Sequence, residues 1–136
     1  MSDDNPRVLR PAGWPRPSGY SDGVSVSGRL VVLAGQIGWN PATAKFESDQ
    51  LTAQVRQALA NIVTLLADAG AEPRHLVRMT WFVTDRAAYL GARPEIGAAY
   101  REVIGAHYPP MTLAIVSGLV EARAKVEIEA TAVVPE

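Results

Sequence analysis

Residues 48–70, SDQLTAQVRQALANIVTLLADAG, predict the longest helix of this chain and the side of that helix that faces a core. Apolar residues of the stretch fall at Leu51, Val55, Ala58, Leu59, Ile62, Leu65, Leu66 and Ala69. Their intervals of three and four residues place one apolar stripe along a helix. Ser48 is predicted as the N-cap, and Gly70 as the glycine that follows the helix. Such a stripe packs against a second layer, which the neighbouring strands must supply.

Strand patterns lie on both sides of this helix. The stretch VSVSGRLVVLAGQI (24–37) predicts a strand, a turn at Gly28 and a longer apolar strand. The stretch HLVRMTWFVTD (75–85) alternates between two sets of residues, Val77, Met79, Trp81 and Val83 on one face and Arg78, Thr80 and Phe82 on the other. Two further strands are predicted at MTLAIVSGL (111–119) and KVEIEATAVV (125–134), joined by the turn VEARA.

A second helical region, residues 86–104, contains Pro94. Because proline is tolerated in a first turn, the region predicts a short helical turn and then a helix from about Arg93 to Val103. The order of strands, helix, strand, helix and strands indicates an α+β fold with the helices on one face of a mixed sheet. We expect one domain over residues 1–136, with residues 1–19 as an extended, proline-rich N-terminal segment.

The second face of this sheet also needs a cover. The run TLAIVSGLV (112–120) has little polar alternation, which is typical of a strand buried on both sides. In a chain of 136 residues, another copy of the chain most easily covers the second side. The pattern therefore predicts a homo-oligomer.

Composition excludes several classes of function. The formal net charge is −1, and the 13 Lys and Arg residues are scattered, so no basic footprint for nucleic acid or an anionic membrane is present. The chain has no cysteine, which excludes disulfides, thiolate metal sites and a cysteine nucleophile. The polar N-terminus does not resemble a signal peptide, and no apolar run approaches the ~18 residues of a membrane span. A soluble cytoplasmic protein is expected.

The two histidines, His75 and His107, are interpreted as solvent-side loop residues. Neither has the spacing of a metal site, so no metal is expected. The serines lack the context of a nucleophile, and the glycines do not form a phosphate-binding loop before a helix. Triad and nucleotide chemistry are therefore not predicted.

Glu127 and Glu129 are the most informative polar pair. They share one face of the last strand with Lys125 and Thr131. One interpretation is a solvated face with cross-strand ion pairs. The other is a carboxylate near a subunit boundary, whose pKa is raised by partial burial so that it moves protons or activates water. Spacing does not choose between them, nor between packing and ligand contact for Tyr20.

Three stretches, taken together, resemble one family. They are YSDGVSVSGRLVVLAGQIGWNP (20–41), LTAQVRQALANIVTLLADAGAEPRHLVRMTWFVTD (51–85) and YPPMTLAIVSGLVEARAKVEIEATAV (108–133). The Gly-Gln-Ile, Gln-x-x-x-Ala-Leu-x-Asn and Val-Glu-Ile-Glu-Ala motifs in them are similar to those of the Rid (YjgF) family. The resemblance implies a chorismate-mutase-like fold and a homotrimer with clefts between subunits. It also implies hydrolysis of enamines and imines such as 2-aminoacrylate, releasing ammonia and a keto acid without a metal or organic cofactor.

The resemblance carries site residues over one at a time. Tyr20 matches the family's cleft tyrosine, Gly35 the glycine whose backbone lines the cleft, and Glu127 the glutamate that positions the attacking water. Four other positions depart from the pattern. Met111 replaces the arginine that binds the substrate carboxylate, Leu113 a cysteine, Ala34 a serine and Arg93 an asparagine.

The missing arginine changes the expected substrate. A guanidinium binds a carboxylate through two charge-assisted hydrogen bonds, and the thioether of Met111 cannot. Arg93 is either a replacement cation or a solvated residue in the first turn of a helix. Three functions stay open: a Rid-like deaminase for a less acidic or larger substrate, a non-catalytic trimer that binds a small metabolite, and an endoribonuclease. The near-neutral charge and the absence of a histidine pair suited to base catalysis disfavour the last.

Overall fold

A computed structural model describes residues 5–136, so the first four residues of the predicted N-terminal segment lie outside the described part. The strands are β1 (Arg7–Val8), β2 (Val24–Ser25), β3 (Arg29–Ile37), β4 (Trp39–Asn40), β5 (Lys45–Phe46), β6 (Leu76–Val83), β7 (Met111–Ile115) and β8 (Val126–Val134). The α-helices are α1 (Leu51–Asp68), α2 (Arg86–Gly91) and α3 (Arg93–Val103). A 3₁₀ helix, Pro73–His75, precedes β6.

The main sheet has four strands in the order β3-β8-β6-β7. Strand β8 pairs antiparallel with both β3 and β6, whereas β6 and β7 are parallel. Two small antiparallel ribbons, β1-β2 and β4-β5, accompany it. The predicted α+β architecture is confirmed: α1 and α3 pack together, and α1 lies over β3 and β8 on one face of the sheet.

The alternation of each strand separates a helix-side face from an open face. In β8, Val126, Ile128 and Ala130 are buried, and Glu127 and Glu129 point to the other side. The helix-side residues pack against the apolar stripe of α1, so the sequence pattern identified this core correctly. On the open face of β3, Leu30 and Val32 are 63% and 69% exposed in the single chain.

The two ends of α1 follow different parts of the prediction. Gly70 has the positive φ of +71° that suits glycine after a helix, as expected. Ser48 is not the N-cap, however, because the helix begins at Leu51 and Gln50 occupies that position without a capping side chain. The Ser48 hydroxyl instead accepts a hydrogen bond from the Gln50 backbone N–H at 3.0 Å, which shapes the turn before the helix.

Gln54, the first residue of the helical motif, fixes α1 to the loop before β8. Its side chain is 1% exposed and makes three hydrogen bonds. Nε2 donates to the carbonyls of Ser48 (3.0 Å) and Arg123 (3.1 Å), and Oε1 accepts from the Lys125 N–H (2.8 Å). Each polar atom of this buried amide is therefore paired with backbone.

Asn61, the last residue of the same motif, fixes the other side of α1 to the end of β3. Its Nδ2 donates to the carbonyls of Trp39 (3.1 Å) and Ile37 (3.4 Å). Between those residues, Gly38 lies directly against the backbone of Gln54. The motif thus determines where β3 ends.

Most of the remaining element predictions are confirmed, with shifts at the edges. The region 86–104 forms α2 followed by α3, which begins at Arg93 as expected. The last predicted strand is β8, but the strand expected over 111–119 ends at Ile115. Thr112 and Ile115 of this strand are exposed, so it is not buried on both sides within one chain.

Candidate active site

Glu127 and Gly35 meet on the open face of the sheet. Strand β3 has an irregularity between Leu33 and Gln36, and the irregular stretch brings the backbone of Gly35 against the Glu127 side chain. A Cβ at position 35 would overlap the Glu127 carboxylate, so only glycine leaves this space free. Glu127 is half-buried, and its carboxylate has no hydrogen bond or ion pair among residues 5–136.

Glu129 lies on the same face, one pleat further along β8. It is exposed and pairs in register with Thr80 of β6. Within the described residues neither Glu127 nor Glu129 forms the cross-strand ion pair that a solvated polar face would favour. The two glutamates therefore differ in environment, although their positions in the sequence are equivalent. The Glu127 side chain lies against the backbone of Gly35, and the Glu129 side chain faces solvent.

A cavity of about 530 Å³ lies on the helix side, near the β7 edge of the sheet. We name it the aromatic cavity. It is lined by Ser18, Gly19, Tyr20, Trp81, Tyr89, Arg93, Ile96, Gly97, Tyr100, Arg101, Tyr108, Met111 and Leu113. The structure thus brings together four of the predicted site residues: Tyr20, Arg93, Met111 and Leu113.

Stacked aromatic rings form one wall of this cavity. Tyr100 and Tyr108 lie 5.5 Å apart between ring centroids at an interplanar angle of 16°, and Trp81 lies 6.5 Å from Tyr100. The Tyr100 hydroxyl donates to the His107 carbonyl at 2.6 Å, and burial raises the pKa of this phenol well above its usual value. Tyr100 is therefore a neutral, fixed wall residue rather than an acid or base.

Trp81 carries a polar atom that the fold leaves without a partner. The residue is 2% exposed, and within residues 5–136 its Nε1 is the one buried side-chain polar atom with no hydrogen-bond partner. An unpaired buried donor lowers stability by about 1–3 kcal/mol. Because this atom is closed to solvent, it is an unpaired group of the core and not a donor that a ligand in the cavity can reach.

Charge reaches the aromatic cavity from α3. Arg93 and Arg101 lie in the first and last turns of that helix and both line the cavity. Met111 and Leu113, from β7, offer only apolar surface, because they share register with the buried residues Met79 and Trp81. A ligand here therefore meets cations at the helix and apolar contact at the strand.

One chain does not unite the two halves of the predicted site. Leu113, Trp81 and Ile128 align across β7, β6 and β8, so the cavity and Glu127 are separated by about 10 Å of sheet. They also lie on opposite faces, since the neighbouring residue Ile128 faces the helices. Gly35 and Glu127 form one group, and the cavity residues form the other.

The interpretation as a solvent-side loop residue is wrong for His75, whereas His107 does lie in a loop, although half-buried. His75 is 8% exposed, and its Nδ1 accepts a hydrogen bond from the Glu72 backbone N–H at 2.9 Å. Burial, followed by the positive charge of Arg74, lowers the pKa of His75 below 6.5. His107 is half-buried, and its Nε2 lies 2.8 Å from the Leu76 carbonyl. An isolated histidine has no periodicity that would have revealed this burial.

The sequence also did not indicate the cavity walls supplied by Trp81, Tyr89 and Tyr100. These aromatics lie on three different elements, and each was consistent with ordinary packing. Residues 5–136 contain no group of three or more His, Cys, Asp or Glu side chains placed to hold a metal ion. None of the helices described here has both the length and the apolar character needed to cross a membrane.

Comparison with known proteins identifies the family. Residues 15–134 match the family model described as Endoribonuclease L-PSP. Protein DfrA of Myxococcus xanthus is 31% identical over 136 residues, which cover 97% of this chain and 92% of that protein. The 2-iminobutanoate/2-iminopropanoate deaminase of Escherichia coli K12 is 32% identical over 117 residues, covering 84% of this chain and 86% of the deaminase.

A solved structure shares the fold over almost the whole chain. YyfB of Yersinia pestis, described as a protein of unknown function that belongs to the conserved Rid protein family, superposes with a TM-score of 0.80 at 36% identity. The match covers 96% of this chain and 99% of that one. The α+β architecture is thus the chorismate-mutase-like fold of these relatives. The chain therefore belongs to the Rid (YjgF) family.

Proposed function

We propose that this protein is a hydrolytic deaminase that acts on the C=N bond of an imine or its enamine tautomer, as a homotrimer and without a metal or organic cofactor. Its substrate differs from the small, acidic imines named for the Escherichia coli relative. The half-buried, unpaired Glu127 carboxylate beside Gly35 is the observation that carries the proposal.

Glu127 has the properties that water activation needs. Its carboxylate accepts no hydrogen bond from the described residues, so its lone pairs remain free for a water molecule. Gly35 keeps the space beside it open. As Glu127 takes a proton from water, the water oxygen bonds to the imine carbon. That proton passes to the nitrogen and gives a carbinolamine. Glu127 then takes the proton of the carbinolamine hydroxyl and delivers it to the nitrogen as the C–N bond breaks with its electron pair on nitrogen, so that ammonia and a carbonyl product leave.

A second copy of the chain would complete the site. The aromatic cavity and Glu127 lie on opposite faces of one sheet, so a substrate in the cavity of one subunit can meet only the Glu127 of another. The exposed apolar side chains of Leu30 and Val32 on the open face support burial against that copy. Mass in solution tests this: three times the 14.6 kDa chain mass is expected, and a monomer at micromolar concentration contradicts it.

The cavity favours an apolar substrate group. Met111 and Leu113 occupy positions where the family pattern has polar groups. Burying an unpaired carboxylate against their side chains would cost about 2 kcal/mol or more. Arg93 offers a cation at the helix side instead. We expect a substrate whose apolar part contacts the strand and whose acceptor or acidic group lies toward Arg93.

Ammonia release from imines generated in situ by an amino-acid oxidase tests the activity. Imines of leucine and phenylalanine are expected to react faster than that of aspartate. Glu127→Gln should lower the rate at least about tenfold, because the amide is no base. Glu129→Gln makes the same chemical change on the same face and should leave the rate unchanged. No release above background with any imine would refute the deaminase proposal.

A non-catalytic metabolite-binding trimer is the second candidate. The aromatic cavity favours it, because among its lining residues only arginines and tyrosines titrate, and neither suits base catalysis near neutral pH. Saturable binding without turnover, unaffected by Glu127→Gln, would support it. Endoribonuclease activity is not proposed, since a net charge of −1 with scattered Lys and Arg residues offers no basic surface for RNA.

A further inference from the structure

A second cavity, of about 370 Å³, lies between the N-terminal segment and the start of β6. We name it the basic cavity, because Arg10, Arg16, Arg74, His75 and His107 all line it. It contains neither Glu127 nor Gly35, nor the substituted positions Arg93, Met111 and Leu113. The proposed deaminase therefore does not account for it.

The two histidines present complementary groups to this cavity. His75 Nδ1 accepts from the Glu72 N–H, so its single proton is on Nε2 when the ring is neutral. His107 Nε2 lies against the Leu76 carbonyl and must donate to it, which leaves Nδ1 as an acceptor. Within the described residues neither His75 Nε2 nor His107 Nδ1 has a hydrogen-bond partner. The fold thus fixes one donor and one acceptor.

Burial keeps His75 in the neutral form that this arrangement needs. The groups that act on its pKa are Arg74, Glu72, His107 and Arg29, and burial is the largest influence, lowering the pKa. The ring is more than nine-tenths buried, yet it donates to no atom of residues 5–136. Nε2 is nevertheless accessible from the cavity, so a ligand there can accept its hydrogen bond in place of water.

The charge of the cavity selects an anion. Three arginines line it against one carboxylate, Asp22, and Arg74 alone of the three is ion-paired, to Glu72 at 3.0 Å. Arg10 and Arg16 form no ion pair within the described residues. Guanidinium groups favour carboxylates and phosphates through paired hydrogen bonds.

Apolar side chains select a carbon skeleton over an inorganic ion. The cavity is also lined by Leu9, Val24, Val26, Leu76, Val77 and Val133. Inorganic phosphate would leave this surface uncovered, whereas a short carbon chain would remove it from water.

We propose that the basic cavity binds a small hydroxy carboxylate. Its carboxylate lies toward Arg10 and Arg16 and accepts from His75 Nε2–H, and its hydroxyl donates to His107 Nδ1. Tyr20 and Tyr108 line both cavities, and the Ser21 N–H donates to the Pro109 carbonyl at 3.3 Å. A ligand in the basic cavity therefore contacts residues that also form the wall of the aromatic cavity.

A titration with 2-hydroxybutanoate, followed by NMR of the histidine ring protons and the tryptophan indole protons, tests the proposal. The chain has only two histidines, so both rings report on this cavity. Saturable shifts of both are expected. The double variant Arg10→Gln/Arg16→Gln should weaken binding about tenfold or more. Arg7→Gln, an exposed arginine of the same segment that lines neither cavity, should bind as the unmodified protein does.

Parallel titrations with butanoate and inorganic phosphate complete the test. Butanoate should bind several-fold more weakly, because it has no hydroxyl for His107, and phosphate should bind more weakly still. The proposal is overturned if the histidines do not respond, or if only the Trp81 indole responds. It is also overturned if phosphate binds as tightly as 2-hydroxybutanoate, or if the double variant binds normally. Because the readout is binding, these outcomes do not depend on deaminase activity.

Discussion

Gly35 and Gly38 lie three residues apart near the end of β3, and both are in close contact with another side chain, yet the contacts differ in kind. Gly38 lies against Gln54, whose backbone belongs to the first turn of α1. Gly35 lies against the far end of the Glu127 side chain. The first contact is with a rigid helix and the second with a carboxylate that can rotate away.

The hydrogen bonding around the two glycines shows the same difference. Around Gly38, the buried amide of Gln54 has a partner for each polar atom. Around Gly35, the Glu127 carboxylate has none within the described residues. Trp81 Nε1, which is buried, is likewise unpaired there. Polar groups with hydrogen-bond partners hold a fold together, whereas accessible polar groups without partners mark places where a ligand, water or another chain can bind.

Gly38→Ala should give the largest loss of stability. The new Cβ would lie 2.6 Å from the Gln54 Cα, and neither the helix nor the strand end can move freely. We expect the free energy of unfolding in urea to fall by about 3 kcal/mol. Gly118→Ala is the matched control, because no atom lies within 4 Å of a Cβ there. Equal stability of the two variants would contradict the distinction drawn between these glycines.

Gln54→Leu should have the next largest effect. Leucine fills a similar volume but leaves the Lys125 N–H and the carbonyls of Ser48 and Arg123 without their partner. Urea denaturation should show a loss of about 2 kcal/mol. Gln50→Leu makes the same change at an exposed position and should stay within about 0.5 kcal/mol of the unmodified protein. If Gln54→Leu left the free energy of unfolding unchanged, water would have to take over the hydrogen bonds of the Gln54 amide.

Gly35→Ala should separate activity from stability. The Glu127 carboxylate can rotate away from the added methyl group, so unfolding should change by less than about 1 kcal/mol. The same rotation displaces the proposed base, so ammonia release from the best imine should fall about tenfold. Circular dichroism and the unfolding curve check that the fold persists. Full activity would remove the assigned role of Glu127.

Sequence reasoning identified what is periodic along the chain. The stripe of α1, the alternation of β8 and the start of α3 at Arg93 all follow from repeated apolar spacing or proline position. The strand order β3-β8-β6-β7 depends on pairing between distant residues, which periodicity does not reveal. For the same reason the walls of the aromatic cavity that come from Trp81, Tyr89 and Tyr100 were not foreseen. The roles of Glu127 and Tyr20, and the homotrimer, stay predictions.

The smallest expected effect is the dependence of stability on the protonation of His75. Its pKa is lowered in the fold, chiefly by burial and then by Arg74, so the unfolded chain binds a proton more readily. The contribution of neutral His75 to the free energy of unfolding is therefore fully present above pH 6.5, the ordinary pKa of histidine. This contribution decreases as the pH falls from 6.5 toward the pKa of His75 in the folded state.

Urea unfolding at a series of pH values measures this effect. In His75→Gln the decrease below pH 6.5 should be smaller than in the unmodified protein, while His107 and every carboxylate remain in both. The difference between the two curves therefore isolates His75. A steeper decrease in the variant would show that His75 is easier to protonate in the fold than in the unfolded chain. In that case the ring could not be the neutral donor on which the proposed hydroxy-carboxylate site depends.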